Sequence, residues 1–394
     1  MTQHFHLGWL LALLLLGAAC RSDELPPQPA PTPPGPSEAS SNYDFFVADF
    51  VDSLIAAEQI PGLAIGMVRE GRIDWQAYRG LAELTPERAV SRSTRFRLGP
   101  TSQVVTTVAL LQVVEQAGLS LDVDLRPLLP FSLAHARFPS ATISLRMLLS
   151  HVSGLRDRDA VLDTLATGRD SLMPLGVFLQ EYLSEEGRFY SETNFTDDRP
   201  GKAYAYAQVN LALAAYLVEV LTERDFDIYC KTELFQQLDF TSVSWFLGDL
   251  SGSDLAVPYR LGGGQPQPQP QLGSPLYPSG QLRINLRFIS RFWLAMIEGA
   301  RYEGETLLAP SMLTEMQAVS YPFADAGQAL GWRYDTLDNR PLLGLAGTER
   351  GMSARLYAEP TKRQGVIILT NGDWYEPALD SLTVRLLRAA DALE

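Results

Sequence analysis

Acyl transfer needs a hydroxyl or thiol nucleophile and a neighbouring group that takes its proton. The usual pairings are hard to find in this sequence. Lys202, Lys231 and Lys362 are its only lysines, and none follows a serine by three residues. That spacing would put a base one helical turn from a hydroxyl. No Gly-x-Ser-x-Gly elbow occurs either. Histidine is limited to His4, His6, His135 and His151, and no third ligand neighbours the last two in sequence. A zinc site is therefore not expected, nor any other metal or cofactor. A tyrosine phenol could relay a proton. With an ordinary pKa near ~10 it is a poor base unless a cation stands beside it.

The elements that would position such groups are legible in the pattern. Phe45 to Glu58 has apolar residues at helical spacing. Leu63 to Val68 and Ile73 to Tyr78 read as strands around a Glu70-Gly71 turn. Val104 to Val114 is apolar nearly all round, and its β-branched residues suit a buried helix or a strand equally. Arg355 to Glu359 and Gly365 to Thr370 read as further strands, and Asn371-Gly372 as a turn. Leu379, Leu382, Leu386 and Ala390 give a closing amphipathic helix. Residues 262–273, GGGQPQPQPQLG, are low-complexity and carry neither helix nor strand period.

Composition and address bound the function. The 394 residues are 46% hydrophobic with a formal charge of −14, as expected for a folded acidic domain rather than a nucleic-acid binder. Leu7 to Ala19 fits the apolar core of a secretory signal, so residues 1–19 are expected to be removed. Gly17-Ala18-Ala19-Cys20 looks like a bacterial lipobox, which implies lipidation of Cys20. Residues 20–41, with the run PPQPAPTPPGP, read as an extended tether. Once Cys20 is lipidated, Cys230 has no partner for an intrachain disulfide. The expected location is the bacterial cell envelope, periplasmic or surface-exposed, with the membrane reached through the lipid anchor.

Three blocks then carry a resemblance. Phe96-Arg97-Leu98-Gly99 precedes an apolar segment and Gly118-Leu119-Ser120-Leu121-Asp122. Pro200-Gly201 precedes Tyr206-Ala207-Gln208, and LLGLAGT spans Leu342 to Thr348. The chain resembles the serine β-lactamase and penicillin-binding protein superfamily, in particular class C-like β-lactamase-related serine hydrolases, from about Tyr43 to Leu393. The resemblance implies an α/β fold for residues 42–394. An antiparallel five-stranded sheet would be flanked by helices, with a mainly helical region over about 120–260. It also selects helix for Val104 to Val114 and a scaffold role for His151 beside the Gly154 turn. In the family's frame the nucleophile is Ser, the base Lys, the second block Tyr-x-Asn and the third block carries His or Lys. Here those positions hold Pro100, Gln103, Tyr206 with Gln208, and Leu345. Gln281 stands where the family's later Gly-Gly pair has glycine.

Proline has no hydroxyl, a carboxamide takes no proton near neutral pH, and leucine offers neither charge nor donor. Thr101 and Ser102 would point away from the Pro100 direction at roughly 100° per helical residue. The expected function is that of a lipid-anchored pseudoenzyme whose cleft binds a peptide, a glycan fragment related to peptidoglycan, or a protein partner. Tyr206, Gln208 and Gln103 are the candidate binding residues. Two alternatives stand beside it. One is an active serine hydrolase with a relocated nucleophile, acting on β-lactams, D-Ala-D-Ala peptides or esters. The other is a purely structural envelope scaffold.

Overall fold

The computed structural model describes residues 38–393, so Cys20, the signal segment and most of the Pro-rich tether lie outside the described residues. Seven strands form one sheet: β1 (Gly62–Arg69), β2 (Arg72–Leu84), β3 (Glu87–Ala89), β4 (Arg333–Leu337), β5 (Arg340–Glu349), β6 (Met352–Glu359) and β7 (Gln364–Thr370). Their spatial order is β4-β5-β6-β7-β1-β2-β3, and every neighbouring pair is antiparallel. The five strands read from sequence are its centre. The edge strands β3 and β4 add to it, and neither has an apolar run long enough to stand out.

Alternation along β1 explains how one sheet serves two cores. Leu63, Ile65 and Met67 face one side with Tyr43, Val47, Leu379, Leu382 and Leu386. Those partners come from helix α1 (Glu38–Glu58) and the closing helix α5 (Glu376–Asp391). Ala64 and Val68 face the other side, where helices α2 (Gln103–Gln116), α3 (Gln208–Thr222) and α4 (Leu286–Ile297) build the larger core. A one-residue slip of β1 would exchange the two faces, so two buried faces fix the register Ile65↔Ile368 against β7. Helix α1 starts at Glu38, inside the span read as tether.

α2 is helical and buried at every position from Gln103 to Val114. An all-round apolar sequence is what such a central helix requires. Its entry is set by a short ladder. Arg95–Arg97 pairs with Arg283–Asn285 in the register Phe96↔Ile284 and places the Gly99–Ser102 turn beside Ser279–Gln281. The stretch 262–273 differs from its reading. Tyr259–Gly262 and Gln265–Pro268 form a hairpin, with Gly263 and Gly264 at φ +61° and +79° in its turn. Two consecutive left-handed residues suit a tight two-residue hairpin, and here the turn carries the element rather than side-chain alternation.

Candidate functional site: a cleft with an uncharged hydrogen-bond relay

Pro100 sits in the turn that opens α2, half-buried, and contributes no hydroxyl. β5 passes directly over it. A Cβ on Gly347 would lie 3.2 Å from Pro100 Cβ and from Thr101 Cγ2, tighter than an ordinary contact, so the strand and the turn are closely packed here. Leu345 precedes Gly347 by two residues and so faces the same side of β5. It is 3% exposed and belongs to the larger core. Gly99 has φ +53°, and a Cβ there would fall 2.3 Å from Met352 Sδ. The nucleophile position is thus packed between β5 and the β5–β6 turn.

Gln103 is the first residue of α2, directly after the Gly99–Ser102 turn, and is buried. Its Oε1 is 3.1 Å from His151 Nε2. The other ring nitrogen, Nδ1, accepts from Ala207 N–H at 3.3 Å and faces Asn210 Nδ2 at 3.2 Å. A backbone N–H can only donate, so Nδ1 carries the lone pair and Nε2–H donates to Gln103. The relay continues inward. Ser153 Oγ donates to Asn210 Oδ1 at 2.6 Å and accepts from Leu155 N–H at 3.1 Å. Every link has one direction, from buried backbone towards the Gln103 amide. Burial pushes the His151 pKa down to about 3, so the ring is neutral and the relay uncharged. His151 stands in the turn that follows the short helix Leu145–Leu149, itself at φ +54°. The scaffold reading of His151 missed that it touches two of the candidate binding residues. Two chain-distant polar positions left that contact invisible in the sequence.

Tyr206 packs against His151 with ring centroids 4.6 Å apart and ring planes tilted by 37°, and it is 39% exposed. Its phenol pKa is raised by burial of the hydroxyl and by the charges of Glu349 and Asp157. No cation is among the groups acting on it, so deprotonation is disfavoured from every side. Asp157 accepts the first two N–H groups of α3, from Gln208 at 2.6 Å and Val209 at 3.0 Å. Burial nevertheless pushes its carboxyl up to about 6, aided by Asp159 and Glu349.

Gln208 turns to the other wall. Its Oε1 lies 3.1 Å from Ser279 Oγ, which is also 2.8 Å from Leu276 O. Gln208, Ser279, Gly280, Gln281 and Glu349 line a cavity of about 170 Å³ whose mouth is edged by Asp159, Asp163 and Arg350. Gly280 in turn stands against Gly99. Contacts therefore run from Gln103 through His151 to Tyr206, and from Gln208 through Ser279 and Gly280 to the Pro100 turn. Of the five family positions Gln208 lines this cavity, Pro100, Gln103 and Tyr206 connect to it through these neighbours, and Leu345 is packed into the larger core.

The remaining hydroxyls offer little. Thr101 Oγ1 donates back to Leu98 O at 2.8 Å, and Ser102 Oγ is buried without a partner. Lys231 and Lys362 are held in ion pairs with Asp227, Asp249 and Asp391, while Lys202 lies over the Phe323 ring. Among the described residues no cluster of three or more metal-ligating side chains occurs. No described helix is long and apolar enough to cross a membrane.

Comparison with known proteins agrees with this geometry. The chain is 26% identical to penicillin-binding protein 4 of Amycolatopsis lactamdurans over 334 residues, covering 82% of this chain and 83% of that protein. It is 20% identical to Protein flp of Staphylococcus aureus strain MRSA252 over 313 residues, 79% of this chain. It spans only 60% of the length of that relative. The crystal structure of a penicillin-binding protein from Bacillus halodurans superposes with a TM-score of 0.68 at 21% identity, covering 87% of this chain and 99% of the other. The family described as Beta-lactamase matches residues 47–390, so this chain, with its altered cleft, belongs to the Beta-lactamase family.

Proposed function

We propose that this protein is a lipid-anchored envelope protein that uses a serine-hydrolase scaffold for binding rather than acyl transfer. The observation that carries the proposal is the neutral relay ending at Gln103. The position where the family places a lysine is occupied by an amide whose oxygen already accepts from a neutral histidine. Beside it the nucleophile position is a proline packed on Gly347. No proton acceptor stands within reach of a hydroxyl there. Losing a nucleophile alone can cost about 10⁶ in rate. The exposed Tyr206 ring and the lined cavity beside Gln208 supply a surface suited to a ligand.

The test is covalent labelling with fluorescent penicillin and with a fluorophosphonate. The expected result is no adduct and no cephalosporin turnover. A stoichiometric label would overturn the proposal. Ser279, the hydroxyl that lines the cavity, is the first place to look for it by peptide mass.

A further inference from the structure

The cavity beside Gln208 has a deep donor and an acidic mouth. Gln281 forms part of its wall and is 4% exposed. Its Oε1 accepts from the Ser274 backbone N–H at 3.2 Å, which fixes the orientation of the amide. Its Nε2 then has no partner among the described residues, and it is not one of the sealed buried atoms either. A donor left open in this way faces the cavity. The segment bearing it is rigid. Arg283, fully buried, donates to Gln281 O at 3.0 Å, to Trp245 O at 2.6 Å and to Leu272 O. An open donor on an immobile backbone selects an acceptor such as an acyl carbonyl, because a ligand that covers the donor without pairing it forfeits its hydrogen bond to water.

The charges at the mouth set the second requirement. Asp159, Asp163, Glu349 and Arg350 share the mouth, and Arg350 reaches Asp163 only at 3.8 Å. Arg97, behind the wall, neutralises Glu349 at 2.5 Å. That leaves Asp159 with no ion pair among the described residues and Asp163 weakly paired, with Asp157 just behind them. Burial is the main cause of the upward shifts of Asp157 and Tyr206, and neighbouring carboxylates add to both.

We infer that the cleft takes a cationic, N-acylated peptide segment, its acyl carbonyl on Gln281 Nε2 and its ammonium or guanidinium at Asp159 and Asp163. The inference rests on the non-catalytic binding reading above and gives it a ligand class. The test is titration of the full chain with three matched probes at low salt: Nα-acetyl-lysine amide, Nα-acetyl-norleucine amide and Nα-acetyl-glutamic acid amide. Binding is read by NMR shifts of the glutamine side-chain amides. The lysine probe should bind about 10-fold more tightly than the glutamate probe, the scale expected for one partly exposed charge contact. Asp159→Asn/Asp163→Asn changes only exposed side chains, and it should erase that preference while the norleucine probe binds as before. Gln281→Met should weaken all three probes. Equal or tighter binding of the glutamate probe, a preference that survives the double Asn variant, or no binding of any probe would each overturn the inference. Tighter glutamate binding at the same amides would still leave a binding cleft, whereas a covalent penicillin adduct would defeat the binding reading itself.

Discussion

Gln103 and His151 decide what the cleft can do at the level of single groups. Their hydrogen bond joins a neutral donor to a neutral acceptor, both buried. Replacing Gln103 with Leu leaves the His151 Nε2–H without an acceptor, which should cost about 1–3 kcal/mol in urea unfolding. An unchanged unfolding midpoint would show that the relay does not reach Gln103. The relay also predicts a pH response. His151 has a folded pKa pushed below its unfolded value, down to about 3 from 6.5. Its contribution to stability is therefore fully present above pH 6.5 and is lost as pH falls towards 3. The slope per pH unit is at most about 1.4 kcal/mol. Asp157 acts with the opposite sign. Its pKa is raised to about 6, so its contribution is present below pH 3.8 and is lost as pH rises through about 6. Unfolding measured from pH 4 to 7 should show a steeper acid limb in Asp157→Asn than in the parent, because the opposing term is gone. Parallel curves would contradict the shifted carboxyl.

The helices show why these groups could be aligned in sequence but not connected. α2 was recognisable as a buried segment from its apolar run, and its helical state followed from the motif frame rather than from periodicity. α3 is different. Its N-cap position is Ala207, which has no side-chain oxygen to cap with, so nothing local marks the helix start. The cap comes from Asp157, about fifty residues earlier, whose two oxygens take the Gln208 and Val209 N–H groups. A cap supplied through the fold has no sequence signature. The hairpin at Gly263-Gly264 and the edge strand β4 were hidden for a related reason: turn geometry and edge position define them more than apolar pattern does. The cap makes its own prediction. Asp157→Ala should destabilise the chain near neutral pH by about 1 kcal/mol, as lost N-caps do. It should also loosen the Tyr206-Ala207-Gln208 turn, read as faster amide exchange at Gln208 and Val209. Equal exchange in variant and parent would assign the start of α3 to its packing alone.

The whole molecule brings the altered positions together from α2, the turn before α3 and β5, and each position is seated in its own surroundings. Pro100 is wedged under Gly347, Gln103 is tied to His151, and Leu345 is part of the larger core. The blocks were legible because their glycines and spacing survive. The packing that closes them was not, since it depends on contacts between segments distant in sequence, such as Gln103 with His151 and Pro100 with Gly347. This arrangement determines how catalysis could be put back. Pro100→Ser would set a hydroxyl at the start of a helix, where backbone N–H groups favour developing negative charge. Gln103→Lys would supply a base one turn on, but its ammonium would meet the His151 Nε2–H, two donors facing each other. Leu345→His would place an imidazole where a fully apolar side chain is now packed. Each single change should therefore lower stability and give no label, because groups that act as a unit are strongly non-additive. The triple variant Pro100→Ser/Gln103→Lys/Leu345→His should melt below the parent yet acquire slow acylation by a penicillin probe at residue 100. Gln208 stays in place of asparagine, so a trapped adduct is the expected product rather than turnover. Labelling is checked by peptide mass and folding by circular dichroism on the same sample. A folded triple variant that never labels would mean that the contact of β5 with the start of α2 has closed the cleft to acyl donors. The non-catalytic character proposed for this cleft would then lie in the packing as well as in the three side chains.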